Sequence, residues 1–226
     1  MDKEKNEDNK TNTIFDASAE EKIRSAFENL TGEVSIQAVL QPTDCKLSVK
    51  TIMFLDELSN ITDRIPISDC LKGENPELEA KIEVSLYPVI ALLNKDGEYT
   101  RICYHGPPSG HELESFISAV NIIANPEQAV AEPLLERINN LKVPINLKTG
   151  VSPTCVMCPE LVQSCQSLAT LNSGVTSEMV DLHHYPDFVK KFRIMSVPAL
   201  IINDEKVKFG GKNLGELVTE LEEYSK

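Results

Sequence analysis

The sequence has no tryptophan, and aromatic residues make up only 5% of its 226 positions. It also lacks a basic surplus: 22 Lys+Arg stand against 35 Asp+Glu, a net charge of −13. A nucleic-acid binder must neutralise phosphates with a basic face, so this charge argues against DNA and RNA. It argues equally against an anionic membrane surface. No apolar run approaches the roughly 20 residues that span a bilayer. The opening stretch, MDKEKNEDNKTNTIFD, has no apolar core of a secretory signal. These absences predict a cytoplasmic protein that engages neither nucleic acid nor membrane. What remains is ordinary globular composition, with 41% apolar and 25% charged residues. The length suits one large domain or two small ones.

Six cysteines then need a cytosolic explanation: Cys45, Cys70, Cys103, Cys155, Cys158 and Cys165. A secreted disulfide scaffold would be shorter and denser in cysteine. Only Cys155 and Cys158 form a C-x-x-C, a spacing that in the cytosol means redox chemistry or metal.

Residues 1–17 read as a polar, disordered tail. Ser18-Ala-Glu-Glu21 has the capping-box pattern and predicts the start of a first helix. Val34 to Leu40 and Ile65 to Cys70 read as strands, with a helical stripe of Leu47, Ile52, Leu55 and Leu58 between them. Tyr87 to Leu93 and Tyr99 to Tyr104 flank Lys95-Asp-Gly97, a hairpin signal. Ser109-Gly-His-Glu112 is a second capping box, opening a helix to about Ala124. Asn125-Pro126 punctuates the chain. Beyond it, a helix over about 126–141 is expected, with Pro133 a kink or break. A strand from Val143 to Lys148 follows, then a helix from Cys155 to about Leu171. The remainder reads as a short strand at Val180, a helix from Tyr185 to Phe192, a hairpin at Pro198–Phe209 and a final helix.

The two halves repeat one order of elements, and landmarks fix the register. Cys45 precedes Pro88 by the interval that separates Cys155 from Pro198, an offset of 110 between halves. Landmarks and element order together predict an internal duplication, with residues 18–125 and 126–226 as its two units.

The order strand, loop, C-x-x-C, helix puts the dithiol at a helix N-terminus. Free amide N–H groups and the helix dipole stabilise a thiolate there. Cys155, nearer the exposed amides, is the candidate nucleophile. Cys158, one turn on, is the candidate resolving thiol that closes the intramolecular disulfide and releases reduced substrate. Pro159 so close to a helix start disrupts at most one backbone bond. Val197-Pro198 opens the next apolar strand. If that peptide is cis and lies beside the dithiol, the Val197 backbone would face an incoming peptide and pair with it like a strand.

Plainer readings stand beside this one. The C-x-x-C could be half of a zinc site completed by Cys165, His183 or His184, although no second C-x-x-C exists. Cys165, Cys70 and Cys103 read as core residues, and His183-His184 as surface. Cys45 also starts a helix, but Ser48 cannot resolve a mixed disulfide, so the first site reads as redox-silent. Glu112 reads as a helix cap.

Two segments then carry a family resemblance. Ser152-Pro-Thr-Cys155-Val-Met-Cys158-Pro-Glu-Leu-Val-Gln163 resembles the active-site segment of the N-terminal domain of the alkyl hydroperoxide reductase flavoprotein subunit. Gly106-Pro-Pro-Ser-Gly-His-Glu-Leu113 resembles the signature of that domain's first half. Archaeal-type protein disulfide oxidoreductases and glutaredoxins are the wider relatives. The resemblance implies an α/β protein of two tandem thioredoxin-like folds packed as one unit, with one working dithiol in the second. It implies that Pro198 is the cis proline, and that Glu112 lies near the dithiol and tunes it. It implies a redox-active Cys155–Cys158 disulfide and no bound cofactor. The implied task is to relay electrons from a flavoprotein reductase to a peroxiredoxin. No GxGxxG is present, so a separate thioredoxin-reductase-like flavoprotein would have to donate. A general protein disulfide reductase or isomerase, and a zinc-binding or redox-sensing adaptor, are the alternatives.

Overall fold

The apolar periodicities become alternating helices and strands in the computed structural model, which describes residues 13–42, 45–126 and 130–224. The first half runs α1 (Ala17–Glu28), β1 (Ser35–Leu40), α2 (Lys46–Ile61), β2 (Ile67–Leu71), α3 (Pro76–Ile82), β3 (Val89–Leu93), β4 (Tyr99–His105) and α4 (Glu112–Ala124). The second runs α5 (Glu132–Asn139), β5 (Ile145–Val151), α6 (Cys158–Leu171), β6 (Val175–Asp181), α7 (Pro186–Phe192), β7 (Ala199–Ile202), β8 (Lys206–Phe209) and α8 (Leu214–Tyr224).

Several local expectations change. Of the expected tail, residues 1–12 lie outside the described residues. The rest is packed: Phe15 is buried against Phe54, and the Ile14 and Phe15 amides donate to the Glu57 carboxylate. Asp16, not Ser18, caps α1, its Oδ1 accepting from the Ala19 amide at 2.8 Å. The anchored Ile14-Phe15 pair fixes where the chain enters and brings the helix start two residues earlier. The helix expected over 126–141 begins at Glu132, with Pro133 in its first turn rather than at a kink, where its missing donor costs nothing; residues 127–129 lie outside the described residues. β6 is longer than expected because Thr176, Ser177 and Glu178 masked its first half. The short α3, which the repeated order required but did not locate, is opened by Asn75, whose Oδ1 accepts from the Leu78 amide at 3.0 Å.

The strands form one eight-stranded sheet, ordered β2-β1-β3-β4-β6-β5-β7-β8. Each half contributes four strands, and the halves meet where β4 pairs parallel with β6. Side chains alternate across a sheet, so each strand serves two faces. On one face α1, α2, α4, α6 and α8 bury the main core. Phe116 of α4 lies there edge-on to Phe27, Phe54 and Tyr104 at 5.5–6.3 Å between centroids. On the other face α3 covers Val89, Ala91 and Cys103, and α7 covers Val180, Ala199 and Ile201.

The halves repeat in detail. α3 and α7 begin 110 residues apart and both end on a left-handed residue, Glu83 (φ 51°) and Arg193 (φ 50°). The Tyr87–Pro88 and Val197–Pro198 peptides, at the same offset, are both cis.

Candidate active site

β5 ends at Val151, and the chain turns through residues 152–154 before the C-x-x-C. Cys155 and Cys158 are joined as a disulfide, their Cα atoms 5.5 Å apart. The Cys155 amide donates to the Ser152 carbonyl at 2.9 Å, which fixes the turn. α6 starts at Cys158 rather than at Cys155, with Met157 in the capping position and Pro159 in the first turn. Cys155 therefore sits one turn ahead of the helix. It is half-buried, whereas Cys158 is fully buried.

Several large apolar side chains are exposed along the C-x-x-C turn and in the segments on either side of the second-half cis proline. Val156 (72% exposed) and Met157 (57%) lie between the two cysteines. Met195 (84%) precedes Val197 by two residues, and Phe209 lies opposite Ala199 where β8 pairs with β7. The Gly210 amide donates to the Pro198 carbonyl at 3.0 Å. Among the described residues, Val197 makes no backbone hydrogen bond.

The first half reaches into this region through the start of α4. Gly110 (φ 62°) is so close to Pro153 that an added Cβ would lie 2.3 Å from its carbonyl oxygen. Next to it the His111 amide donates to that carbonyl at 3.0 Å. These contacts lock the α4 entrance onto the loop that precedes Cys155. Glu112, the first residue of α4, does not form the expected capping box; its Oε2 accepts from the Ser115 hydroxyl at 2.6 Å. The side chain is buried, and Oε1 has no partner. Burial, reinforced by the charges of Asp181 and Glu114 against the Ser115 hydrogen bond, pushes the Glu112 carboxyl up to about 7.

The corresponding place in the first half is occupied. Cys45 caps α2 without a side-chain hydrogen bond, and Ser48, at the position of Cys158, is buried and accepts from the Gln41 amide at 3.0 Å. Tyr185, from the second half, donates its hydroxyl to the Pro88 carbonyl at 3.3 Å, and burial first of all pushes that hydroxyl well up from its ordinary value. Sequence reasoning missed this plug. Nothing local marks Tyr185, because its contact depends on how β4 and β6 bring the halves together. It also missed the apolar collar at Met195 and Phe209, although two large apolar residues flanking a turn proline are a usable signal.

The other cysteines separate. Cys165 is buried, accepts from Thr149 Oγ1 at 3.6 Å, and is pushed up to about 12 by burial. Cys103 is buried, while Cys70 is only half-buried on the edge strand β2. His183 is exposed and His184 half-buried; both face Asp181. The zinc ligands suggested for the C-x-x-C are thus not gathered around it. Among the described residues, the grouping at metal-ligating distance is a different one: Cys103, His105 and Glu178.

A disulfide at the head of a helix with one accessible sulfur, carried on paired halves of matching topology, defines a thioredoxin-like disulfide oxidoreductase of tandem architecture. The thioredoxin domain family matches residues 145–223. A structure of the alkylhydroperoxide reductase AhpF from Enterococcus faecalis (V583) superposes with a TM-score of 0.86 at 32% identity, covering 92% of this chain and 100% of that one. The chain belongs to the family of the AhpF N-terminal domain. A protein disulfide oxidoreductase from Aeropyrum pernix shares the fold, with a TM-score of 0.82 at 18% identity over 94% of this chain and 95% of that one. The AhpF of Staphylococcus aureus (strain MRSA252), also an alkyl hydroperoxide reductase component, is 24% identical over 208 residues, 92% of this chain and 38% of the relative. The chain therefore spans less than half the length of the curated relatives it matches. No helix among the described residues is long and apolar enough to cross a membrane.

Proposed function

We propose that this chain carries electron pairs from a flavoprotein disulfide reductase to a protein disulfide, that of a peroxiredoxin. In this reading residues 18–125 are a redox-silent scaffold and residues 126–226 hold the working dithiol. The observation that carries it is the asymmetry of the pair: Cys155 is accessible and Cys158 is sealed behind it. Only an accessible sulfur can meet another protein's disulfide, and only a sulfur one turn behind it can close the ring afterwards.

In the reduced protein the Cys155 thiolate attacks one sulfur of the acceptor disulfide. A mixed disulfide forms, and the acceptor's other sulfur leaves as a thiolate. Cys158 then loses its proton and attacks Cys155 Sγ, forming the Cys155–Cys158 disulfide and releasing the second acceptor thiolate. Two electrons and two protons pass to the acceptor. The flavoprotein restores the dithiol by the reverse exchange. Val197, with free backbone groups beside Pro198, pairs with the acceptor's extended chain. The collar of Val156, Met157, Met195 and Phe209 excludes water around it. Glu112, poised near neutral pH, serves as the tuning carboxylate that takes up and returns the proton of the buried thiol.

Trapping tests this reading. Cys158→Ser leaves the mixed disulfide with no resolving thiol, so it should accumulate a covalent complex with peroxiredoxin through Cys155. Capture of unrelated disulfide proteins with no preference for a peroxiredoxin would replace the relay with general disulfide reduction. No mixed disulfide with any protein disulfide would remove both.

Glu112 gives a second expected result. Its carboxyl binds a proton more tightly in the fold than in the unfolded chain. Its contribution is therefore most favourable below the unfolded value and is lost as pH rises through about 7. Glu112→Gln should gain on the order of 2–3 kcal/mol over the parent at pH 8 and little at pH 4, read by denaturant unfolding. It should also shift the pH–rate profile of disulfide exchange. An unchanged profile would confine Glu112 to packing.

A further inference from the structure

The face of the sheet opposite the main core is covered at its two ends, by α3 and α7, and left open at its centre. An open cleft of about 760 Å³ lies there, lined by Tyr99, Arg101, Lys148, Glu178 and Asp204 among others. Glu178, which lines this cleft, converges with two fully buried side chains that do not line it, Cys103 and His105. Cys103 and Glu178 are direct cross-strand neighbours in the β4–β6 pairing, and His105 is two residues beyond Cys103 on the same face. Topology alone therefore brings a thiol, an imidazole and a carboxylate together. Glu178 Oε2 lies 2.8 Å from His105 Nε2, and Cys103 Sγ lies 3.9 Å from the same nitrogen. All three ligand atoms fall within 4.8 Å of one another. The other ring nitrogen, Nδ1, is buried and unpartnered.

We propose that Cys103, His105 and Glu178 form a binding site for a soft divalent cation, zinc above all, at the seam between the two halves. Around a tetrahedral zinc with bonds of about 2.0–2.3 Å, ligand atoms sit roughly 3.3–3.6 Å apart. The sulfur and the carboxylate, within 4.8 Å of one another, need to draw in by at most about 1.5 Å, and the imidazole and carboxylate to part by about 0.5 Å. A water would have to complete the fourth position, entering past Glu178, the one ligand of the three that lines the cleft. Lys148 pairs with Glu178 at 3.8 Å but is held more tightly elsewhere, its Nζ 2.7 Å from Asp204 and 2.9 Å from Asn146 Oδ1. With the Cys103 thiol proton released to solvent on metal uptake, the charges of Cys103 and Glu178 balance those of one divalent ion, while Asp204 pairs with Lys148 and Lys191. β4 belongs to the first half and β6 to the second, so the ion would staple the two together. This centre is separate from the Cys155–Cys158 pair and does not depend on the relay.

The test uses the full chain with Cys155–Cys158 oxidised, so that those sulfurs cannot bind metal. After treatment with a chelator, the protein is titrated with Co²⁺ and then with Zn²⁺. One equivalent of Co²⁺ should produce thiolate-to-cobalt charge-transfer absorption and tetrahedral visible bands, both lost on adding Zn²⁺. Zn²⁺ should also raise the thermal midpoint. Cys103→Ser should abolish the charge-transfer band. Glu178→Gln should weaken uptake at least tenfold, and Cys70→Ser should change nothing. Absence of a saturable one-equivalent uptake, or a band that survives Cys103→Ser, overturns the proposal. Should Cys103→Ser not fold, His105→Asn decides in its place: a band of unchanged affinity overturns it.

Discussion

Cys155→Ser should bring the rate of disulfide reduction down to that of solution without protein, a loss of about a thousandfold or more. Cys155 is the half-exposed member of the pair, and Cys158 behind it is fully buried. A serine hydroxyl has no thiolate-like nucleophilicity and cannot form the mixed disulfide. Cys165 cannot substitute, because it is buried and burial holds its thiol up at about 12. Cys45 is not expected to either: Ser48 stands where its resolving partner would be, and Tyr185 is bonded to the nearby Pro88 carbonyl. Reduction of a model protein disulfide with a chemical reductant or a flavoprotein reductase measures the effect. Turnover in Cys155→Ser within tenfold of the parent would show that the wrong sulfur has been named.

The second large effect lies outside the dithiol. Gly110→Ala should destabilise the fold by about 2–4 kcal/mol, combining about 1 kcal/mol for a non-glycine residue at positive φ with about 1–3 kcal/mol for overpacking. Its φ is 62°, and the new Cβ would meet the Pro153 carbonyl oxygen at 2.3 Å. That contact lies between the halves, so relief requires the α4 entrance and the pre-Cys155 loop to move apart. The His111–Pro153 hydrogen bond would go with it. For a chain of this size the shift in midpoint is about 5–15 °C. Disulfide exchange should slow as well, because the loop that fixes Cys155 loses its support. An unaltered midpoint would mean that the two segments are not locked.

Much of this was legible in the sequence because it is local. The C-x-x-C, the two prolines at matching intervals and the alternating apolar runs are short-range signals. They carried the tandem α/β architecture and pointed to the C-x-x-C segment as the candidate site. Capping boxes were legible and misleading: Asp16 replaces Ser18 because Ile14 and Phe15 are tied to Glu57, far along the chain. Glu112 leaves its capping role because α4 begins against Pro153. What could not be read is what crosses the seam. The β4–β6 pairing joins strands from different halves, and neither strand's own pattern announces the other. Cys103, His105 and Glu178 are therefore scattered in sequence and adjacent in space. A Cys-x-His on a strand was the one visible hint, since alternate residues share a face.

The plug at Pro88 has a kinetic consequence. With that cleft stopped, the C-x-x-C is the doorway that the proposed relay leaves among the described residues, and in that relay whatever donates electrons and whatever receives them would use it in turn. In that relay no ternary assembly would form at the dithiol, and the two visitors would queue. Initial-rate plots should then be parallel lines, and an excess of either visitor should inhibit the other.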